Sequence, residues 1–224
     1  MTSRAFTDYI RHIGDRTGLF LAVAAHTGAR RGIYPGSYLD FTPSYALPDV
    51  TYLDSDPRAR KAFADPATTL ELAGLHRHYH QIPEITFVPG DYTHTLRELP
   101  AAEWDLAISL YAGPVSEHVA RCLKSGGWLL ANNSHADAGL AHINPDYRLA
   151  AAIHHRAGRY RLTTDGLERY LLPKTPPHPT RKQLQATGRG IAYTRPATAY
   201  LFQHVPHGQQ RGDRGLDKGR SPGP

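Results

Sequence analysis

The sequence predicts an α/β fold on a doubly wound, mostly parallel sheet, and three observations carry that expectation. Trp104-Asp-Leu-Ala-Ile-Ser-Leu-Tyr111 is an apolar run entered by an acid, which reads as a buried strand. It is followed by a segment with apolar residues at Val115, Val119, Cys122 and Leu123, read as helix, then by Gly126-Gly127, a reversal into Trp128-Leu-Leu-Ala131. A strand, helix, strand succession of this kind needs a parallel sheet. The third observation is that four of the five strands expected before Asn133 are followed by turn residues and a helical candidate.

In chain order, Phe6, Ile10, Ile13 and Leu19-Phe20-Leu21 have apolar spacing for amphipathic helix between residues 3 and 27, broken at Gly14 or Gly18. Arg31-Gly-Ile-Tyr-Pro-Gly36 is a short strand ended by Pro-Gly. Asp49-Val-Thr-Tyr-Leu-Asp54 is a β-branched and aromatic run ending in an acid. Ser55-Asp56-Pro57 supplies a capping residue and a proline at the first helical position, so a helix is expected from Arg58 to Phe63. A further helix is expected from Pro66 to Tyr79, and Glu84-Ile-Thr-Phe-Val88 is the third strand, closed by Pro-Gly-Asp91. Beyond Asn133 the alternation weakens. Arg148–Ile153 is compatible with helix or strand, Tyr160–Thr164 reads as extended, and Ala197–Val205 as a last strand.

Leu123-Lys-Ser-Gly-Gly-Trp-Leu-Leu130 resembles the turn before the fifth strand of class I S-adenosylmethionine-dependent methyltransferases, and the order of elements over residues 28–205 is similar to theirs. The resemblance implies a Rossmann-like methyltransferase fold whose last strand is antiparallel and inserted beside the fifth. Ala199-Tyr-Leu-Phe202 matches that strand. It also implies S-adenosylmethionine as cofactor.

Composition bounds the organisation. With 224 residues the chain can bury one full-sized core. The expected division is an N-terminal helical segment 1–27, a Rossmann-like domain 28–206 and a disordered tail 207–224, rich in Gly, Arg, Gln, Asp and Pro, with too little apolar surface to offset the entropy of ordering. The single cysteine, Cys122, excludes an intrachain disulfide and fits a cytoplasmic protein, and no apolar run is long enough for a membrane span. Residues 1–150 carry 13 Lys/Arg against 16 Asp/Glu, whereas residues 151–224 carry 13 against 4, so the positive excess lies wholly in the last third. Within it, Lys174–Arg195, which has no acid, reads as a solvated excursion between strands. Nucleic acid is a disfavoured partner, because only Tyr193 offers a stacking ring there.

In open α/β sheets ligands sit beyond the carboxyl ends of the strands, where strand order reverses. The candidate cofactor residues at those ends are Tyr34, Pro35, Gly36 and Ser37 after the first strand, Asp54 and Ser55 after the second, Asp91 and Tyr92 after the third, and Ser109 at the fourth. An acid ending the second strand can accept both hydroxyl protons of a ribose, the place Asp54 occupies. By the resemblance, Asp91 accepts from the adenine amino group, with Tyr92 as a stacking neighbour. The first loop departs from the family's glycine-rich turn: Tyr34–Pro43 has one glycine, Gly36, and Asp40 or Thr42 is expected to replace the usual contacts to the cofactor's methionine end.

Methyl transfer is an in-line displacement needing chiefly proximity and orientation, sometimes with a base. His135 at the end of the fifth strand is the candidate base and Asn133 the orienting amide, both also readable as helix caps. The leading expectation is a methyltransferase acting on a small-molecule acceptor. The alternative is a non-catalytic module with a degraded cofactor loop, engaging an anionic partner through its basic C-terminal region. A nicotinamide dehydrogenase is disfavoured by the missing G-x-G-x-x-G loop, and a metal site by histidines (His76, His78, His80) with no cysteine or acidic cluster beside them.

Overall fold

The computed structural model describes residues 2–206. Two helices, α1 (Thr2–Ile13) and α2 (Thr17–Thr27), are separated at Gly14, whose φ of 86° permits the break. There follow β1 (Arg31–Pro35), a one-turn α3 (Pro43–Ala46), β2 (Asp49–Asp54), α4 (Pro57–Ala62), α5 (Pro66–His76), β3 (Glu84–Pro89), α6 (Tyr92–Glu98) and β4 (Trp104–Ser109). Then come α7 (Ser116–Val119), β5 (Leu123–Ala131), α8 (Asp137–Ile143), β6 (Tyr147–Arg156), β7 (Arg159–Thr163), α9 (Arg181–Thr187) and β8 (Ala199–His204). The strands form one eight-stranded sheet in the order β3-β2-β1-β4-β5-β8-β6-β7. β1 to β5 pair in parallel, β8 lies antiparallel between β5 and β6, and β7 closes the edge as a hairpin with β6. The expected fold class and inserted antiparallel strand are therefore found, with β7 as an additional edge.

Each face of the sheet carries its own core. On one side Phe6, Phe20, Tyr34, Phe41, Tyr52 and Phe63 join α1 to α5 to the sheet, with Phe41 stacked on Tyr52 at 5.6 Å. On the other, Trp104, Val115, Val119, Cys122, Tyr147 and Phe202 pack with α6 to α8. The acid entering β4 pins neighbouring elements: Asp105 accepts the Arg30 and Arg31 amides at 3.0 and 2.9 Å and the Lys124 ammonium at 2.7 Å.

Two expectations are corrected. The segment 115–122 is not one helix: α7 has four residues and passes into a 3₁₀ turn, Ala120–Cys122. Gly126-Gly127 does not precede the fifth strand but interrupts it, since Trp104 pairs with Leu123 and Leu106 with Trp128, leaving residues 124–127 bulged out. A Cβ on Gly127 would stand 2.9 Å from the Lys124 carbonyl oxygen, so that bulge requires glycine. The basic excursion is exposed over most of its length, as expected, but it is anchored at α9. Thr180 and Gln183 form a capping box at α9, Leu184 is buried against Ala136 and Leu140, and Glu117 accepts from Arg181 at 2.6 Å and Gln185 at 2.5 Å. The tail 207–224 lies outside the described residues. Among the described residues no helix is long and apolar enough to cross a membrane.

Candidate active site

Strand order reverses between β1 and β4, and the loops after these two strands meet at the carboxyl edge. Two cavities open there. One, of about 370 Å³, is lined by Tyr9, Ile13, Arg16, Tyr34, Gly36, Ser37, Tyr38, Leu110 and Tyr111. The second, of about 220 Å³, lies toward β5, β6 and β8, where Asp15, Asn132, His155, Tyr160 and Thr198 contribute polar groups and Leu19 and Ala199 apolar ones. Ile13, Arg16, Leu110 and Tyr111 line both, so these residues form the boundary between two lobes of one cleft.

Local backbone constraints set this geometry. Gly36 has φ 66°, and a Cβ there would meet Ala112 Cβ at 2.3 Å, so the β1 loop presses directly on the β4 loop. Tyr38 and Tyr111 also sit at positive φ, 46° and 66°, in a region that side chains larger than glycine rarely adopt and that clusters at functional sites. Asp40, 1% exposed, is held by Arg16 Nη1 (3.0 Å), Tyr34 Oη (3.2 Å), Thr42 N (3.3 Å) and Thr42 Oγ1 (2.5 Å). Burial lowers the Arg16 pKa, but Asp40, Tyr34 and Tyr111 together outweigh it, and the guanidinium stays above its ordinary value and charged. Asp40 and Thr42, expected to meet the cofactor's methionine end, are both buried in this internal network and line neither cavity.

The structure sorts the sequence-derived candidates. Tyr34, Gly36 and Ser37 line the larger cavity, and Ser37 Oγ is buried with no hydrogen-bond partner among the described residues. Pro35 is buried at the end of β1. Asp54, half-buried, accepts the Tyr38 amide through Oδ2 and the Asp56 amide through Oδ1, both at 2.7 Å, which leaves lone pairs on each oxygen. Ser55 is exposed beside it. Asp91 is exposed and caps α6, accepting from Thr93 N at 2.8 Å and Thr93 Oγ1 at 2.7 Å, which holds its carboxyl below the usual range. Tyr92 is half-buried, edge-on to His118 at 5.8 Å.

Ser109 is turned away from both cavities, donating to the buried Asp137 carboxylate, which also accepts from Ser116 N (3.0 Å) and Ser116 Oγ (2.5 Å). Burial pushes Asp137 up to about 6 despite those hydrogen bonds. Asn133 and His135 line neither cavity. The Asn133 amide donates to the Ile191 carbonyl at 2.8 Å, tying down the excursion, and His135 is exposed at φ 53°. Asn132, one residue earlier, reaches the smaller cavity: its Oδ1 accepts the Ser134 amide at 3.1 Å, leaving its amide nitrogen as a donor. Arg16, His155 and Tyr160 were not legible as site residues. The only local signal for Arg16 is a charged Gly14-Asp-Arg16 break between two apolar helices. Among the described residues no group of three or more metal-ligating side chains comes together.

No family model matches the sequence, and no curated protein matches it either. Solved structures do. An O-methyltransferase from Bacillus cereus, determined in complex with SAH, superposes with a TM-score of 0.51 at 10% identity, covering 91% of this chain and 90% of its own. A methyltransferase from Geobacter sulfurreducens is similar at a TM-score of 0.48 and 14% identity over 72% of this chain and 87% of its own. With the strand order and the inserted antiparallel β8, the first of these likenesses shows that the chain has the Rossmann-like fold of class I S-adenosylmethionine-dependent methyltransferases.

Proposed function

We propose that the chain is an S-adenosylmethionine-dependent methyltransferase acting on a small-molecule acceptor. The observation that carries this reading is the two-lobed cleft at the carboxyl edge of the switch point, with Ser37, whose hydroxyl is partnerless, among the larger lobe's residues and Asp54, which lines neither lobe, bonded to the amide of the lining residue Tyr38. A buried hydroxyl without a partner is costly, and a polar ligand in that lobe would satisfy it. The larger lobe also falls within the range of about 300–1,000 Å³ common for small-molecule sites. Gly36 and Ser37 give the close backbone approach that the family obtains from a glycine-rich turn.

When bound, the cofactor supplies an activated methyl group on a sulfonium. This chain's part is then positioning: Asp54 fixes the sugar, Ser37 hydrogen-bonds in the larger lobe, and the Arg16–Tyr111 boundary sets where the two lobes meet. The smaller lobe, which holds little more than a substituted ring by comparison with a roughly 150 Å³ cavity that takes benzene, suits a small acceptor. Asn132 replaces Asn133 as the orienting amide in this reading. Calorimetric titration with S-adenosylhomocysteine tests it: binding in the micromolar range is expected, and no binding at millimolar ligand would remove the cofactor from the proposal.

A further inference from the structure

Arg16 has an unusual position for a structural arginine. Its side chain is 16% exposed and paired to an almost fully buried acid, an arrangement whose desolvation cost makes it weak evidence for stability. A guanidinium carries five N–H donors, and among the described residues only Nη1 has a hydrogen-bond partner, Asp40. The guanidinium also lies over the Tyr111 ring at 4.9 Å, so it is clamped in place in a residue that lines two cavities. A rigid, charged, partly satisfied fork of this kind matches a planar carboxylate.

The charge balance narrows the ligand. Asp40 already neutralises Arg16, and Asp15, which lines the smaller cavity with it, adds a negative charge. Asp15 Oδ1 accepts the Thr17 amide at 2.7 Å, which leaves Oδ2 for a further donor. A ligand bringing only a carboxylate would add charge of the same sign beside Asp15. One carrying an ammonium group next to its carboxylate meets both side chains with complementary charge.

We propose that Arg16 and Asp15 form a recognition pair for an α-amino acid head group, Arg16 taking the carboxylate and Asp15 the ammonium. This rests on the methyltransferase reading of the same cleft. The shared chemistry has two sources, the methionine end of the cofactor or an amino acid acceptor, and calorimetry separates them. If the head group is the cofactor's, Arg16→Gln and Asp15→Asn each weaken S-adenosylhomocysteine at least tenfold and leave 5′-methylthioadenosine, which lacks the head group, unchanged. If it is the acceptor's, both nucleosides bind all variants equally, whereas free L-amino acids titrated into the S-adenosylhomocysteine-saturated protein bind the wild type and not the variants. Because Arg16→Gln strands Asp40, the double variant Arg16→Gln/Asp40→Asn is measured beside it, and Asp15→Asn alters only an exposed side chain. Equal affinities of all variants in both arms would overturn the pair. Should the wild type bind no nucleoside at all, the cofactor reading fails separately, and the pair is judged by whether L-methionine binds the wild type and is lost in Asp15→Asn.

Discussion

Gly36 faces Ala112 between the β1 and β4 loops so closely that a Cβ at residue 36 would stand 2.3 Å from the Ala112 Cβ. Gly36→Ala should therefore destabilise the protein by about 2–4 kcal/mol, combining the left-handed backbone penalty with overpacking against a loop that cannot retreat. Urea unfolding of the variant measures this. A change under about 0.5 kcal/mol would mean that the two loops separate freely.

Asp54, to which the methyltransferase reading gives the ribose, orders its loop through the Tyr38 and Asp56 amides. Asp54→Ala should weaken S-adenosylhomocysteine by on the order of 1–3 kcal/mol, the loss of charge-assisted hydrogen bonds. Calorimetry on the folded variant checks it, and unchanged affinity would remove Asp54 from the site.

The buried Asp137 gives a pH dependence with a definite sign. The unfolded chain releases this proton near the ordinary 3.8, whereas the folded protein keeps it to about 6. Between those values the native state binds more protons, so stability from this group falls as pH rises from about 4 to 6 and is level above that. The difference is on the order of 3 kcal/mol. Asp137→Asn should flatten that part of the profile in denaturant titrations at stepped pH, and an identical slope in variant and wild type would count against it.

The excursion offers a contrast between apolar and ionic anchoring. Leu184→Ala removes a side chain buried against Ala136 and Leu140 and should cost about 2–4 kcal/mol. Glu117→Ala removes the acceptor of the half-exposed Arg181 and the exposed Gln185, both of which stay open to water, and should cost about 1 kcal/mol. Thermal melts of both variants would show the order, and a reversed order would make the charge contact the anchor.

How far the sequence revealed these features depends on how local they are. The five parallel strands were readable because each strand, its turn and its capping residue are neighbours in the chain, as Asp56 shows by accepting from Arg58 N at the start of α4. Positions at the carboxyl edge followed from the same alternation. Side-chain direction did not. Asp91 and Ser109 stand at the expected strand ends, yet one caps a helix and the other serves Asp137. Arg16, His155 and Tyr160 reach the cleft from the N-terminal helices and the β6–β7 hairpin, far from the motif-bearing centre in sequence. Their arrival depends on tertiary packing that no local spacing encodes. The anchoring of residues 174–195 through Leu184 was hidden for a like reason, since a single leucine in a run of charges gives no periodic signal.

The insertion of β8 between β5 and β6 orders the events of folding. Until residues 199–204 are in place, β5 presents an open edge, and the β6–β7 hairpin has no neighbour in the sheet. The β1–β5 layer can form before this strand is synthesised, but the lobe lined by Asn132, His155, Tyr160 and Thr198 cannot. During that interval the uncovered edge of β5 is a template for pairing with a second chain. The smaller lobe is thus the part of the cleft completed last, when the strand latest in the sequence takes its place between two earlier ones.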